Sequence, residues 1–161
     1  MTKEELGTLI LASERQFYAT AKTILYSDHD CADAIQETIV KAFVKLPTLK
    51  KDAYAKTWMI RILINECYNI LRKENRQELL KDQRKNCLKQ TEETTDYSEL
   101  YQAVSELKEE LKLPVILYYA EDFSIKEIAE ILEITEGAVQ KRLARARGKL
   151  KKAFEHKEVF V

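Results

Sequence analysis

Apolar positions recur along this chain at steps of three and four residues, the period of an amphipathic helix. Leu6, Ile10, Ser13, Phe17, Ala21 and Ile24 form one such line and predict a first helical segment. Ser27 or Asp28 can cap a second helix, which Pro47 ends just after Leu46. Its inner face would be Ile35, Thr38, Ile39, Ala42, Phe43 and Leu46. After the loop PTLKKDA, a third helix is predicted from about Tyr54 to Glu74, with Met59, Ile62, Leu63, Cys67, Ile70 and Leu71 as core candidates. These three helices would share one small core. No strand-like alternation bounded by turns is present.

Residues 77–95, QELLKDQRKNCLKQTEETT, lose this amphipathicity and read as a linker. A second helical unit follows. Leu100, Val104, Leu107 and Leu111 make one stripe, and Pro114 suits the first turn of the next helix, PVILYYAE. Ser124 and Glu127 have the spacing of a capping box opening SIKEIAEIL. EITEG breaks the pattern, and a basic helix runs from about Glu136 to Lys152. The expectation is an all-α chain of two small helical domains, 1–76 and 96–161, joined by a flexible linker at 77–95.

Composition narrows the class. The 161 residues are 34% charged and 45% hydrophobic, with 3 Gly and 2 Pro, which fits a soluble, mostly helical chain and excludes collagen-like and low-complexity classes. No apolar run approaches the ~20 residues of a membrane span. The segment Met1 to Ile10 carries Glu4 and Glu5 and does not read as a signal peptide. Cys31, Cys67 and Cys87 are far apart and form no CxxC, so neither a disulfide framework nor structural zinc is expected. His29 and Cys31 alone are too few ligands for a metal. The expectation is a reduced, cytoplasmic protein without a cofactor.

Net charge is zero, but its distribution is uneven. Residues 72–90 carry +4, residues 91–136 carry −10, and residues 137–152 carry seven basic and no acidic groups. Such a block is an electrostatic footprint for phosphates. A solvated helix face is the plainer reading of a charge run. It is weakened here because no acidic residue is interspersed to form i,i+4 pairs.

Residues 124–152 have the parts of a helix-turn-helix. Ile128, Ala129 and Leu132 would point inward, Ile134 would plug the turn, and Val139 and Leu143 would anchor the second helix. That leaves Gln140, Lys141, Ala144 and Arg145 on the opposite face, where a helix in the major groove reads base edges. Arg142, Arg147, Lys149, Lys151 and Lys152 are better placed for phosphates. An ordinary helical hairpin is the alternative.

On the third helix, Tyr54, Trp58, Arg61, Asn65, Asn69, Arg72 and Arg76 follow one another at steps of three and four. Aromatics offer stacking surfaces for unpaired bases, and the amides and guanidiniums offer hydrogen bonds. Lys50 and Lys51 in the preceding loop would wall a pocket for an extruded base. Trp58 alone would more simply be a core residue. The second helix has another outer face, Asp33, Gln36, Glu37 and Lys41. Its carboxylates would repel DNA but suit a protein partner with basic groups.

Three segments in this order resemble the extracytoplasmic-function (ECF) sigma factors of bacterial RNA polymerase. DCADAIQETIVKAF resembles the helix that grips the polymerase clamp, KTWMIRILINECYNILRK the −10 element helix, and LKLPVILYYAEDFSIKEIAEILEITEGAVQKRLARARGKL the −35 reader. The resemblance implies that Asp33, Gln36 and Glu37 bind core polymerase, with Lys41 beside them. It places Asn65 near a flipped −10 base and the loop 47–55 at the base-capturing loop. It places Gln140, Lys141 and Arg145 at −35 bases and phosphates. Three positions depart from the usual pattern: Ile39 for a frequent Phe, Glu133 for the usual Gly, and Ala144 where some members carry a bulky side chain.

A nineteen-residue linker spans at most about 65 Å, so the two readers can lie roughly 15–20 base pairs apart at about 3.4 Å per pair. A two-element promoter fits that reach. The expected function is promoter-specific transcription initiation with core RNA polymerase, on duplex −35 and melted −10 DNA. No catalytic constellation is present. The resemblance further implies an anti-sigma partner, and any membrane tether would come through that partner rather than by direct insertion. Two rivals are a stand-alone helix-turn-helix regulator and a protein-interaction module.

Overall fold

The computed structural model describes residues 1–80 and 98–159, which divide into two compact helical units. Most of the stretch read as linker lies outside the described residues; its first four residues, 77–80, continue a helix.

In the first unit, α1 (Lys3–Ala12) opens on a capping box. The Glu5 N–H donates to Thr2 Oγ1 at 3.1 Å, and the Thr2 N–H donates to Glu5 Oε2 at 2.8 Å. All six positions of the first apolar line are buried. Yet the chain turns at Ser13 and restarts as α2 (Glu14–Ile24), so the unit has four helices rather than three. The turn takes a single residue and preserves the phase of the apolar line. A period-based reading therefore cannot see it.

Ser27 caps α3 (Asp28–Lys45), its Oγ accepting from the Asp30 N–H at 3.0 Å. Asp28 accepts from Lys22 Nζ at 2.8 Å and from the Tyr18 hydroxyl, which ties α2 to the start of α3. The same two donors, Lys22 foremost, hold the Asp28 carboxyl below the usual carboxylate range. The buried spine of α3 is Cys31, Ala34, Thr38 and Ala42. Of the expected inner face, Ile35, Ile39, Phe43 and Leu46 are only half-buried. Small side chains make the contact and bulky ones flank it, because small residues let helix axes approach. After two single-turn 3₁₀ helices comes α4 (Ala55–Leu80). It buries Ala55, Met59, Ile60, Leu63, Ile64 and Cys67, while Ile62, Ile70 and Leu71 are half-buried.

The second unit comprises α5 (Ser98–Ser105), α6 (Glu109–Val115), α7 (Ile125–Leu132) and α8 (Glu136–Val159). Leu107 and Leu111 are buried, but Leu100 is exposed and Val104 half-buried, so only the second half of that stripe is core. Pro114 does not open a helix; it lies inside α6. Proline has no N–H, so the carbonyl of Glu110 loses its usual partner. The helix then widens into a π turn over Ile116–Ala120, closed by the Glu121 N–H on the Ile116 carbonyl at 3.1 Å. Ser124 and Glu127 form the expected capping box of α7. Ile128, Ala129 and Ile131 are buried beneath it, while Leu132 and Ile134 are half-buried. Val139, Leu143 and Ala146 seat α8 on this core.

Glu133 ends α7 at φ 58°, ψ 44°, the left-handed conformation. That conformation costs a side-chain-bearing residue about 1–2 kcal/mol, part of which glycine returns as unfolded-chain entropy. Glu133→Gly is expected to stabilise the chain by up to about 1 kcal/mol. Glu133→Val, β-branched at positive φ, is expected to lower the melting midpoint. Thermal unfolding followed by circular dichroism reads both.

Cys31 and Cys67 are free, buried thiols. Burial pushes Cys31 from 9.0 up to about 11 and Cys67 up to about 12. The folded state keeps these protons while the unfolded chain gives them up, so the stability contributed is whole below pH 9 and is lost as pH rises through about 11 and about 12. Cys67→Ala is expected to lose less stability than the parent between about pH 9 and about pH 11, measured by urea unfolding at each pH.

Candidate functional site

Three polar faces stand out, one on α8 and two on the first unit. In the second unit, Thr135 Oγ1 accepts from the Ala138 N–H at 3.0 Å and starts α8 just after the Glu133 turn. With Val139, Leu143 and Ala146 facing inward, Gln140, Lys141, Ala144, Arg145 and Lys149 are exposed, and Arg142 is half-buried. At 100° per residue, Gly137, Ala144 and Gly148 run up the middle of the exposed side. A side chain at Gly148 would meet nothing within 4 Å. Lys141 stands beside Gly148 on this strip, with Arg145 on one flank and Arg147 on the other, so the small residues leave a central cation uncrowded. Arg147 is exposed, and its Nη1 donates to the Tyr119 hydroxyl at 3.0 Å. Tyr119 in turn meets Tyr118 edge-to-face at 4.9 Å. The π turn therefore steers one cation of α8, a contact that the spacing of charges did not reveal.

In the first unit, Tyr54, Arg61, Asn65, Asn69, Arg72 and Arg76 are all exposed along one side of α4 and the turn before it. Trp58 is half-buried, so one part of the indole packs while another faces out. Lys51 Nζ lies 6.0 Å from the Tyr54 ring centroid, and Lys50 is exposed. Arg72 Nη1 donates to Asn69 Oδ1 at 2.8 Å, which leaves the amide N–H₂ free of that bond.

On α3, Asp33, Gln36 and Glu37 are exposed, and Lys41 is half-buried. Asp33 lies 3.5 Å from His29 Nε2. The same line continues through Val40, 55% exposed, and Val44, 72% exposed. The sequence reading of this face stopped at charged residues and missed them. The signal was available, since positions 33, 37, 40 and 44 share one helical side. The face therefore combines two exposed valines with carboxylates, rather than carboxylates alone.

Lys41 does not project freely. Its ammonium pairs with Glu66 of α4, which is buried, and this partner raises the Lys41 pKa. The pair lies in a cleft of about 730 Å³ between α3 and α4. Asp30, Asp33 and Glu37 line its α3 wall, and Asn69, Arg72, Lys73 and Arg76 line its α4 wall. Sequence reasoning also missed Glu66, although it sits on the line Ile62, Glu66, Ile70, where an acid is out of place. Among the described residues, no group of three or more His, Cys, Asp and Glu could hold a metal ion, and no helix is long and apolar enough to cross a membrane.

Comparison with known proteins agrees with this division. Residues 9–77 match the family described as Sigma-70 region 2, and residues 97–150 match Sigma-70, region 4. RNA polymerase sigma factor SigV of Bacillus subtilis is 32% identical over 146 residues, covering 90% of this chain and 88% of that protein. The ECF RNA polymerase sigma-E factor of Haemophilus influenzae is 26% identical over 155 residues, covering 86% and 82%. Among solved structures, the sigma factor RpoE in complex with the anti-sigma factor NepR, from Bartonella quintana, has the same fold. Its TM-score is 0.79 at 23% identity, covering 94% of this chain and 98% of that one. CnrH, in complex with the cytosolic domain of CnrY, superposes with a TM-score of 0.72 at 21% identity. With both regions matched in order and a relative aligned over nearly its whole length, the chain belongs to the extracytoplasmic-function sigma factors of the sigma-70 family.

Proposed function

We propose that this protein is the promoter-recognition subunit of a bacterial RNA polymerase, binding core enzyme through α3 and promoter DNA through α4 and α8. The observation that carries the reading is the separation of faces in the first unit. An acidic and apolar face on α3 and an aromatic, amide and guanidinium face on α4 are presented by two helices packed directly together. A stand-alone duplex-binding regulator leaves both faces without a use.

In this reading, Asp33, Gln36, Glu37 and Lys41, extended by Val40 and Val44, dock on a partner surface that is basic with an apolar centre. Tyr54 and Trp58 stack unpaired bases of the −10 element, while Lys50, Arg61, Asn65, Asn69 and Arg72 contact bases and the strand backbone. Gln140, Lys141 and Arg145 read −35 base edges, Ala144 leaves room for the groove wall, and Arg142 and Lys149 meet phosphates. The domains act as proposed blocks, 1–76 and 96–161, with 77–95 between them. Bond-making chemistry belongs to the polymerase, in the cytoplasm. An anti-sigma factor is a further proposed partner, supported by the complex with an anti-sigma factor in which the similar fold RpoE was solved.

Arg145→Ala is expected to weaken binding to a −35 duplex by about 1–3 kcal/mol and to relax selectivity at one base pair. Fluorescence anisotropy with a panel of single-base variants checks this; uniform weakening would reassign Arg145 to a phosphate. Glu37→Lys and Val44→Asp are each expected to cut core polymerase affinity at least about tenfold, the effect of removing one strong interface anchor. Unchanged binding of both variants in titration with labelled core enzyme would contradict the α3 assignment.

A further inference from the structure

Glu66, which pairs with Lys41 across the α3–α4 cleft, has no part in the roles just assigned. Glu66 is only 8% exposed, and it reaches from α4 to Lys41 on α3. Replacing a buried ion pair by apolar side chains is often neutral or stabilising, so net stability is a weak reason for its presence. The better-attested use of such a pair is to fix register between packed elements. The α3–α4 contact needs such a device. Its α3 spine is built of small groups, and its one hydroxyl, Thr38, bonds within α3 to the Ala34 carbonyl, so the attraction across the contact has little direction and tolerates rolling of one helix on the other.

The position of the pair gives register a consequence. On α3, Lys41 follows Glu37 by one turn, beside the acidic face. On α4, Glu66 is adjacent to Asn65 and one turn before Asn69 and Ile70. Above the pair, the cleft holds Glu37 on one wall and Arg72 on the other. A roll of α4 would therefore move Asn65, Asn69 and Arg72 relative to Glu37 while leaving the face of α3 itself intact.

We propose that Glu66, through its ion pair with Lys41, is a positioning residue. It holds the base-facing side of α4 in register with the polymerase-facing side of α3, and strand opening needs it while assembly with polymerase does not. The inference rests on the polymerase reading above. Glu66 touches neither DNA nor polymerase in it; the residue acts through α4.

The test uses the full chain with core polymerase and a promoter fragment that the unmodified chain transcribes. Core affinity, opening of the duplex promoter and transcription from the same promoter pre-melted around −10 are read in parallel. Glu66→Gln is expected to leave core affinity within about twofold and to slow duplex opening about tenfold, in the range of coupling between two sites. Transcription from the pre-melted template is expected to be normal. Glu66→Asp keeps the charge, and the flexible Lys41 stem spans the missing methylene, so opening should largely recover. If Glu66→Gln lowers core affinity, duplex opening and pre-melted transcription in proportion, Glu66 is merely structural and the inference is overturned. Unimpaired duplex opening by Glu66→Gln overturns it as well. If the unmodified chain neither binds core polymerase nor transcribes any fragment, the polymerase reading itself falls, and this inference with it.

Discussion

The packing of α3 on α4 is the contact on which the first unit depends. Its spine, Cys31, Ala34, Thr38 and Ala42, contains no large side chain. Small groups on α3 meet larger ones on α4, among them Met59 and Leu63, and each helix keeps one side for other surfaces. That is how the two long helices of the unit, α3 and α4, present two unlike faces on neighbouring elements. One is acidic with exposed valines, the other aromatic and basic. The Lys41–Glu66 pair, its carboxylate buried and its ammonium half-exposed between the walls, supplies a directional contact beside that spine.

The second unit solves a different problem, presenting one long basic helix on a small core. Seven cations within residues 137–152 repel one another, so α8 must be seated by packing. Val139, Leu143 and Ala146 do this, against a body whose turns are locally strained. Pro114 and the π turn after it rotate Tyr119 toward Arg147, and Glu133 adopts a left-handed conformation that glycine fills more readily. The irregular backbone before α8, with Asp122 and Glu133 at positive φ, thus sets where the basic helix starts.

Much of this was legible in sequence, and the misses have physical causes. Every position on the apolar line Leu6 to Ile24 is buried, because burial follows the phase of the helix, while Thr20, just as buried, was passed over because its hydroxyl made it look polar. The line hid the break at Ser13, because a one-residue turn keeps that phase. Choosing the largest apolar residues for the inside of α3 favoured Ile39 and Phe43 over Cys31 and Ala34, since hydrophobicity does not report how close two axes come. Ile131 rather than Leu132 is fully buried for the same reason of angle over size. Val40 and Val44 were overlooked because exposed valine resembles core valine in a pattern. Glu66 was overlooked because a buried acid shows itself only when its partner, twenty-five positions away, is brought across the cleft. Caps and the helix-turn-helix were readable because their chemistry is local.

The central claim is that these faces work together on polymerase and promoter. Reconstituted transcription tests it most directly. The purified chain is combined with bacterial core RNA polymerase and genomic fragments, and the 5′ ends of the products are mapped. The account predicts discrete start sites, each preceded by the same pair of sequence elements at a fixed separation. A chain that binds duplex DNA but neither associates with core enzyme nor yields specific starts would contradict it.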